Sequence, residues 1–391
     1  MRVAIVHYWL VDMRGGEKVV EALCDMYPDA DIFTLVHDKG KVSEKINRHR
    51  IFTSFLQKLP GAVRHYQSYL PLMPFAIESF DLSGYDLIIS SESGPAKGII
   101  PPPHATHVCY CHSPMRYLWD HYHGYRAASG RLTRMVMPLI APLLRSWDVS
   151  TSLRVDRFVA NSSHVAARIS KYYRRTATVV YPPVIVDDFA LSSNVGDFYL
   201  CAGQIVPYKR IDLAVRVFNR LGKPLVIIGG GKEKEIEELK RIAGPNIKFL
   251  GKVSFGELKK HLATCKALVF PGEEDFGMVP VETMASGRPV IAYASGGALE
   301  TVVHGKTGIL FREQSEQSLC DAVESFEAAQ HVFDPTEIRS HAAAFGAQRF
   351  RQAMEEIIEG ELSQRRETRL DFGIPQPSSR HANGRPAMPV H

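Results

Sequence analysis

The sequence is sparing with cysteine, with unbroken apolar stretches and with net charge. Six cysteines are scattered over 391 residues, at Cys24, Cys109, Cys111, Cys201, Cys265 and Cys320. That is no disulfide framework and fits a reducing compartment. Cys109 and Cys111 form a C-x-C, but no further Cys or His group completes zinc-ligand spacing, so a buried pair on one strand face is expected. No apolar run reaches the roughly 18 residues of a membrane span. The opening MRVAIVHYWL is not followed by the small-residue cleavage site of a signal peptide, which makes the cytoplasm the expected location. Lys plus Arg number 47 against 42 Asp plus Glu, a net charge of +5. This excess suits an anionic ligand or a membrane surface and is too small to imply nucleic acid. Arg14-Gly15-Gly16-Glu17 does not supply G-x-G-x-x-G, which argues against a dinucleotide dehydrogenase.

What is present is an ordinary globular composition, 45% hydrophobic and 23% charged. At roughly 150 residues per domain the length allows two or three domains. Residues 2–10, a turn with Gly15 and Gly16, and a helix over 17–26 form a strand, glycine turn and helix, the opening of a doubly wound α/β sheet. Runs at 31–36, 85–90, 106–111 and 156–162 read as further buried strands. Pro182 and Pro183 break the pattern. A second strand–helix series follows, with strands at 197–203, 224–229, 246–251, 266–272 and 288–294. Near-continuous apolar strands alternating with helices imply parallel sheets covered on both faces. The expected division is 1–183, then 184–335, then a periodic helix at 341–360 within 336–360. Residues 361–391, without periodicity, read as a disordered tail.

The most specific stretch is PGEEDFGMVPVETMASGRPVIAY, 271–293. A buried strand ends at Phe270, a loop holds Glu274, and Pro280 opens a short helix carrying Glu282 that stops before Gly287. The two carboxylates face the crevice beyond the strand's carboxyl end, where open α/β sheets bind ligands. A carboxylate accepts two hydrogen bonds from a vicinal diol and so suits sugar hydroxyls. Two acids serving only a helix dipole are the plainer reading.

The E-x7-E of EEDFGMVPVE followed by ETMASGRPVIA resembles the signature of family 4 glycosyltransferases, retaining nucleotide-sugar-dependent enzymes of the GT-B fold. MRGGEKVVEAL, VCYCHSPMRYLWD and GQIVPYKRIDLAV fall in that family's order, so the resemblance covers most of residues 1–360. The HSPMRYLWD segment resembles bacterial mannosyltransferases of O-antigen and exopolysaccharide synthesis. The resemblance implies two facing Rossmann-like domains, the last helix crossing back to the first. It implies that Glu282 grips the nucleotide ribose, Glu274 contacts the transferring sugar, and Lys209 pairs with the diphosphate. Phe276 and Gly277 belong to the same donor loop. Gly15 and Gly16 would bring backbone amides to the donor phosphate, and Gly296 and Gly297 would present a helix N-terminus to it. Gln204 stands where the family usually has an arginine, with Arg210 as a candidate substitute. His112 would face the donor sugar, while Glu300 would either touch the donor or cap its helix. Arg116, Tyr117, Trp119 and Asp120 would line the acceptor pocket or simply pack. Base recognition is expected around 251–255.

Asp29-Ala30-Asp31 spells the D-x-D metal motif of the other large glycosyltransferase fold, but it lies at a strand's entrance, opposite the edge where parallel sheets do chemistry. No required metal or other cofactor is expected. Residues 131–147 and 50–75 mix apolar residues with arginine, and read either as a surface peripheral to the inner membrane's cytoplasmic face or as buried packing. The expected function is retaining transfer of a hexosyl group, mannosyl from GDP-mannose foremost, to a saccharide or polyprenyl-linked acceptor in cell-surface polysaccharide synthesis. A UDP-sugar donor, a nucleotide-sugar isomerase and a non-catalytic scaffold of a polysaccharide assembly complex are the alternatives.

Overall fold

The computed structural model describes residues 1–371. Seven strands form the first sheet: β1 Val3–His7, β2 Asp31–Thr34, β3 Ile51–Thr53, β4 Leu87–Glu92, β5 Thr106–Cys111, β6 Arg157–Ala160 and β7 Ala177–Val179. Six form the second: β8 Tyr199–Ala202, β9 Leu225–Ile228, β10 Ile247–Gly251, β11 Leu268–Phe270, β12 Val290–Tyr293 and β13 Gly308–Phe311. The helices that build the site are α1 Gly15–Met26, α2 Arg131–Thr151, α3 Ser163–Tyr173, α4 Ile211–Leu221, α5 Met278–Ala285 and α6 Ala347–Asp371.

Both sheets are parallel, in the orders β3-β2-β1-β4-β5-β6-β7 and β10-β9-β8-β11-β12-β13. Helices cover both faces, so central strands such as β1, β4 and β5 are buried at every position. This is why they read as continuous apolar runs rather than alternating ones. Strand order reverses between β1 and β4 and again between β8 and β11. Loops leaving the carboxyl ends diverge at such a reversal and open a crevice, so each domain carries one ready-made ligand edge.

Between the domains the chain passes through Val184, whose N–H bonds to the Phe345 carbonyl at 3.0 Å. From there α6 runs back across the first domain. Phe350, Met354 and Ile358 join the core of Ile5, Ile89 and Tyr110. Burying each such side chain contributes roughly 1.5–3 kcal/mol, enough to hold the helix on that domain.

Several local readings are corrected. The last helix does not end near 360. It continues to Asp371 and is held by Arg157 to Glu361 at 2.6 Å and Arg365 to Asp156 at 2.8 Å. Residues 361–371 are therefore helical, and 372–391 of the expected tail lie outside the described residues. Residues 50–75 supply β3 and anchor to the core through Leu56, Ala62 and Met73, while Phe55, Leu72 and Phe75 stay exposed. The short helix with Glu282 starts at Met278, two residues before Pro280.

Candidate active site

The second domain's wall is built where β8 and β11 end. Gly203 follows β8 with φ +129°, and a Cβ there would lie 2.8 Å from Lys209 Nζ, so only glycine lets the lysine lie over the strand end. Lys209 reaches Glu274, Nζ to Oε1 2.7 Å, with both side chains mostly buried. The two residues that the resemblance assigned to diphosphate and sugar thus hold each other. Gln204 is exposed, and Arg210 bonds Asp212 in the first turn of its own helix α4 at 3.2 Å. Phe276 is buried against Tyr181 and Phe345, ring centroids 5.6 and 5.8 Å away. Gly277 caps α5 in the left-handed region at φ +82°.

Gly296 and Gly297 meet the loop 274–276 backbone to backbone. A Cβ on either would fall 2.2 Å from a carbonyl oxygen, of Glu274 or of Phe276. The Gly297 N–H already donates to the Glu274 carbonyl at 2.9 Å. These glycines therefore seat the Glu274 loop, and the amide of Gly297 is not free for a phosphate.

The first domain's wall lies at the ends of β1, β4 and β5. Gly15 and Gly16 begin α1, and His112 follows β5 with Nε2 2.8 Å from Ser91 Oγ. Burial, reinforced by His7, pulls the His112 imidazole down to about 3, so it is neutral near pH 7. The sequence motif placed His112 at this edge, but nothing local marked Ser91 or His7.

The walls face each other. Lys18 of α1 bonds Glu282 of α5, Nζ to Oε1 2.9 Å, and also stands 4.3 Å over the Phe255 ring. A Cβ on Gly15 would lie 2.9 Å from the Met278 sulfur. Asp275, beside Glu274, takes Arg168 at 2.5 Å and Arg116 at 3.4 Å from the first domain. Glu300 accepts the N–H groups of Ser163 and His164 at 2.9 and 3.2 Å, and so caps α3 of the opposite domain. The cross-cleft role of Lys18 and Asp275 was missed, although each adjoins a motif residue. Arg168 carries no sequence signal of its own.

Of the expected acceptor residues, Asp120 is tied to Arg168 at 2.6 Å. Tyr117 packs in a small cluster with Met115 and Leu118. Trp119 stacks on Tyr172 at 4.7 Å and donates its ring N–H to buried Asp148 at 2.8 Å. Together with Arg116 they brace the loop after His112. An open cleft of about 710 Å³ lies beside the Gly15 turn, lined by Arg14, Lys41, Arg64, Tyr66 and the second domain's Lys252. In the D-x-D stretch, Asp31 accepts the Tyr85 hydroxyl at 2.6 Å and pairs with Arg2 at 3.3 Å, at the entrance of β2.

Residues 189–349 match the family glycosyl transferases group 1. The match spans the second domain and the start of α6. The chain is also 31% identical over 244 residues to a GDP-mannose-dependent alpha-(1-6)-phosphatidylinositol monomannoside mannosyltransferase of Mycobacterium tuberculosis, 54% of this chain and 60% of that one. An uncharacterized glycosyltransferase of Methanocaldococcus jannaschii is 31% identical over 173 residues, 43% of this chain and 48% of that one. The chain thus spans about half the length of the curated relatives it matches. Among solved structures, Anabaena HepE in complex with UDP superposes with a TM-score of 0.71 at 16% identity, covering 92% of this chain and all of that one. The fold is GT-B.

Proposed function

We propose that the chain is a retaining glycosyltransferase that moves a hexosyl group, mannosyl from GDP-mannose foremost, from a nucleoside diphosphate to a saccharide or lipid-linked acceptor. One observation carries the reading: two sheet switch points face each other, with Lys209, Glu274 and Glu282 on one wall and Gly15, Gly16 and His112 on the other. Donor binding exchanges the Lys209–Glu274 pair for new partners, the ammonium meeting the diphosphate and the carboxylate a sugar hydroxyl. The lysine then offsets charge that builds on the leaving phosphate. Glu282 turns from Lys18 to the ribose diol. No metal is required in this scheme, since Lys209 and Arg210 supply the positive charge.

The mannosyl donor is supported by the Mycobacterium tuberculosis relative, and the UDP-bound neighbour keeps a uridine donor as the second reading. The basic cleft beside Gly15 favours an acceptor carrying phosphate. Along α2, Leu132, Met135, Leu139 and Leu143 form a stripe 72–76% exposed, next to exposed Arg131 and Arg134. No helix among the described residues is long and apolar enough to cross a membrane. The stripe supports peripheral contact with an anionic leaflet, where a polyprenyl-linked acceptor for cell-surface polysaccharide would lie.

The test is transfer itself. Purified protein is incubated with GDP-mannose and polyprenyl-phosphate-linked saccharides, and the product's anomeric configuration is read by NMR. The proposal expects an α-linked product, as in the donor, and loss of turnover in Lys209→Ala. A β-linked product, or GDP-mannose converted without any acceptor, contradicts it.

A further inference from the structure

Three buried side chains stand behind His112 that no motif marks. Glu17 of α1 is 2% exposed, and His7 of β1 and Ser91 of β4 are fully buried. Sheet register brings two of them together, because β1 and β4 pair with His7 opposite Ser91. Ser91 Oγ lies 3.1 Å from His7 Nδ1 and 2.8 Å from His112 Nε2. On the far side, His7 Nε2 makes no hydrogen bond to a described residue, and the Glu17 carboxylate stands beyond it with Oε1 3.7 Å away. The other Glu17 oxygen accepts the Arg14 backbone N–H at 2.9 Å. His112 is partly exposed, and its one hydrogen bond to a described side chain is made through Nε2.

The direction of this chain follows from proton counting. A serine hydroxyl carries one proton, so Ser91 donates to one imidazole and accepts from the other. The Glu17 carboxylate lies on the Nε2 side of His7, and its oxygens attract a proton onto that nitrogen electrostatically. His7 Nδ1 is then bare and accepts a hydrogen bond from the Ser91 hydroxyl. Ser91 in turn accepts from a protonated His112 Nε2, which leaves His112 Nδ1 bare. We propose that Glu17, His7 and Ser91 are positioning residues that fix His112 in its Nε2-protonated form, so that Nδ1 meets the cleft as a hydrogen-bond acceptor.

Gly16 closes the turn over this chain. A Cβ there would lie 2.8 Å from the Tyr8 hydroxyl, 3.4 Å from His7 Cε1 and 3.6 Å from His112 Nε2. The consequence for specificity rests on the transferase reading. The sugar hydroxyl that meets His112 must donate its proton, so a donor sugar with fluorine or hydrogen at that position is used poorly.

The tautomer can be read without any substrate, by two-dimensional ¹H–¹⁵N spectra of histidine-labelled protein near pH 7.5, with His112→Gln to assign the signal. The wild type is expected to show a protonated Nε2 and a bare Nδ1. Glu17→Gln is the decisive variant. Its amide oxygen stays with the Arg14 N–H, so the positive end of its NH₂ group faces His7 Nε2 and disfavours a proton there. His7 then carries its proton on Nδ1, the two Ser91 hydrogen bonds reverse, and His112 is expected to become Nδ1-protonated with the melting temperature nearly unchanged. A wild-type His112 protonated on Nδ1, or a Glu17→Gln spectrum identical to wild type from folded protein, overturns the proposal. In turnover, Ser91→Ala is expected to lower kcat about 10- to 100-fold with KM little changed, the effect of one misdirected hydrogen bond. An unchanged kcat in Ser91→Ala also overturns it. Absence of turnover in wild type would count against the transferase reading and leave the tautomer result standing.

Discussion

Lys97 lies fully buried beneath the loop that follows His112 and should be among the most costly residues to neutralise. Its ammonium pairs with Asp148 of α2 and stands 3.9 Å from Glu92 at the end of β4. Asp148 also accepts the Trp119 ring N–H at 2.8 Å and the Tyr173 hydroxyl at 3.0 Å. One ammonium therefore ties together β4, α2, α3 and the segment that carries Trp119. Lys97→Met keeps the length of the side chain and leaves Asp148 buried without its counter-charge. Breaking a buried pair this way costs about 3–5 kcal/mol. For a domain of this size each kcal/mol lowers the melting temperature by about 2–4 °C. Urea unfolding followed by tryptophan fluorescence should show the loss. Lys97→Met combined with Asp148→Asn should recover part of it, because no lone charge then remains at this pair and the amide oxygen can still accept from Trp119 and Tyr173. Lys45→Met, whose pair with Asp25 is exposed, should cost less than about 1 kcal/mol. A single Lys97→Met loss below about 1 kcal/mol would refute the reasoning.

Burial lifts Glu92 to about 8 despite the neighbouring Lys97. An unfolded glutamate titrates near about 4.3, so between these values the folded chain keeps a proton the unfolded chain has lost, and stability falls as pH rises. Melting curves from pH 5 to 8 should show that fall, and Glu92→Gln should flatten it; equal slopes would contradict the assignment. Gly297→Ala places a methyl 2.2 Å from the Phe276 carbonyl oxygen and should lower the melting temperature by several degrees and abolish any response to nucleotide. Leu139→Glu with Leu143→Glu should remove sedimentation with anionic vesicles while leaving the melting temperature within about 2 °C. Equal binding by wild type and variant to anionic and neutral vesicles would rule out the α2 stripe.

The parallel sheets were legible because strands such as VAIVH and THVCYC are buried on both faces and leave long apolar runs. The strands β3, β7 and β13 were not, being three or four residues long and lying at or near sheet edges. The meeting of Glu274, Glu282 and Lys209 at one sheet edge was legible because they sit close together in the sequence, Glu274 and Glu282 in one segment and Lys209 in another. Gly296 and Gly297 show the limit of that reading. A glycine pair before a helix has the same sequence whether it serves a phosphate or a close backbone crossing, and the crossing is what the fold contains. Trp119 and Tyr117 are a similar case, since aromatic residues after His112 suit a sugar face and a packed loop equally well. His7, Ser91 and Arg168 were beyond local pattern altogether. They reach the site through strand pairing and domain apposition, which are set by contacts distant in sequence.

The central claim is that the cleft between the domains holds a nucleoside-diphosphate sugar on Glu282, Lys209 and Glu274. It is tested most directly by melting the protein with GDP-mannose, UDP-glucose, UDP-N-acetylglucosamine or GDP, with and without EDTA, in wild type and Glu282→Ala. A ligand at about 100 times its dissociation constant stabilises the folded state by about 2.7 kcal/mol. The account predicts a rise of several degrees with GDP-mannose and GDP, unchanged by EDTA and lost in Glu282→Ala. A rise with the uridine donors alone would overturn the mannosyl assignment, and no rise with any nucleotide would contradict the claim itself.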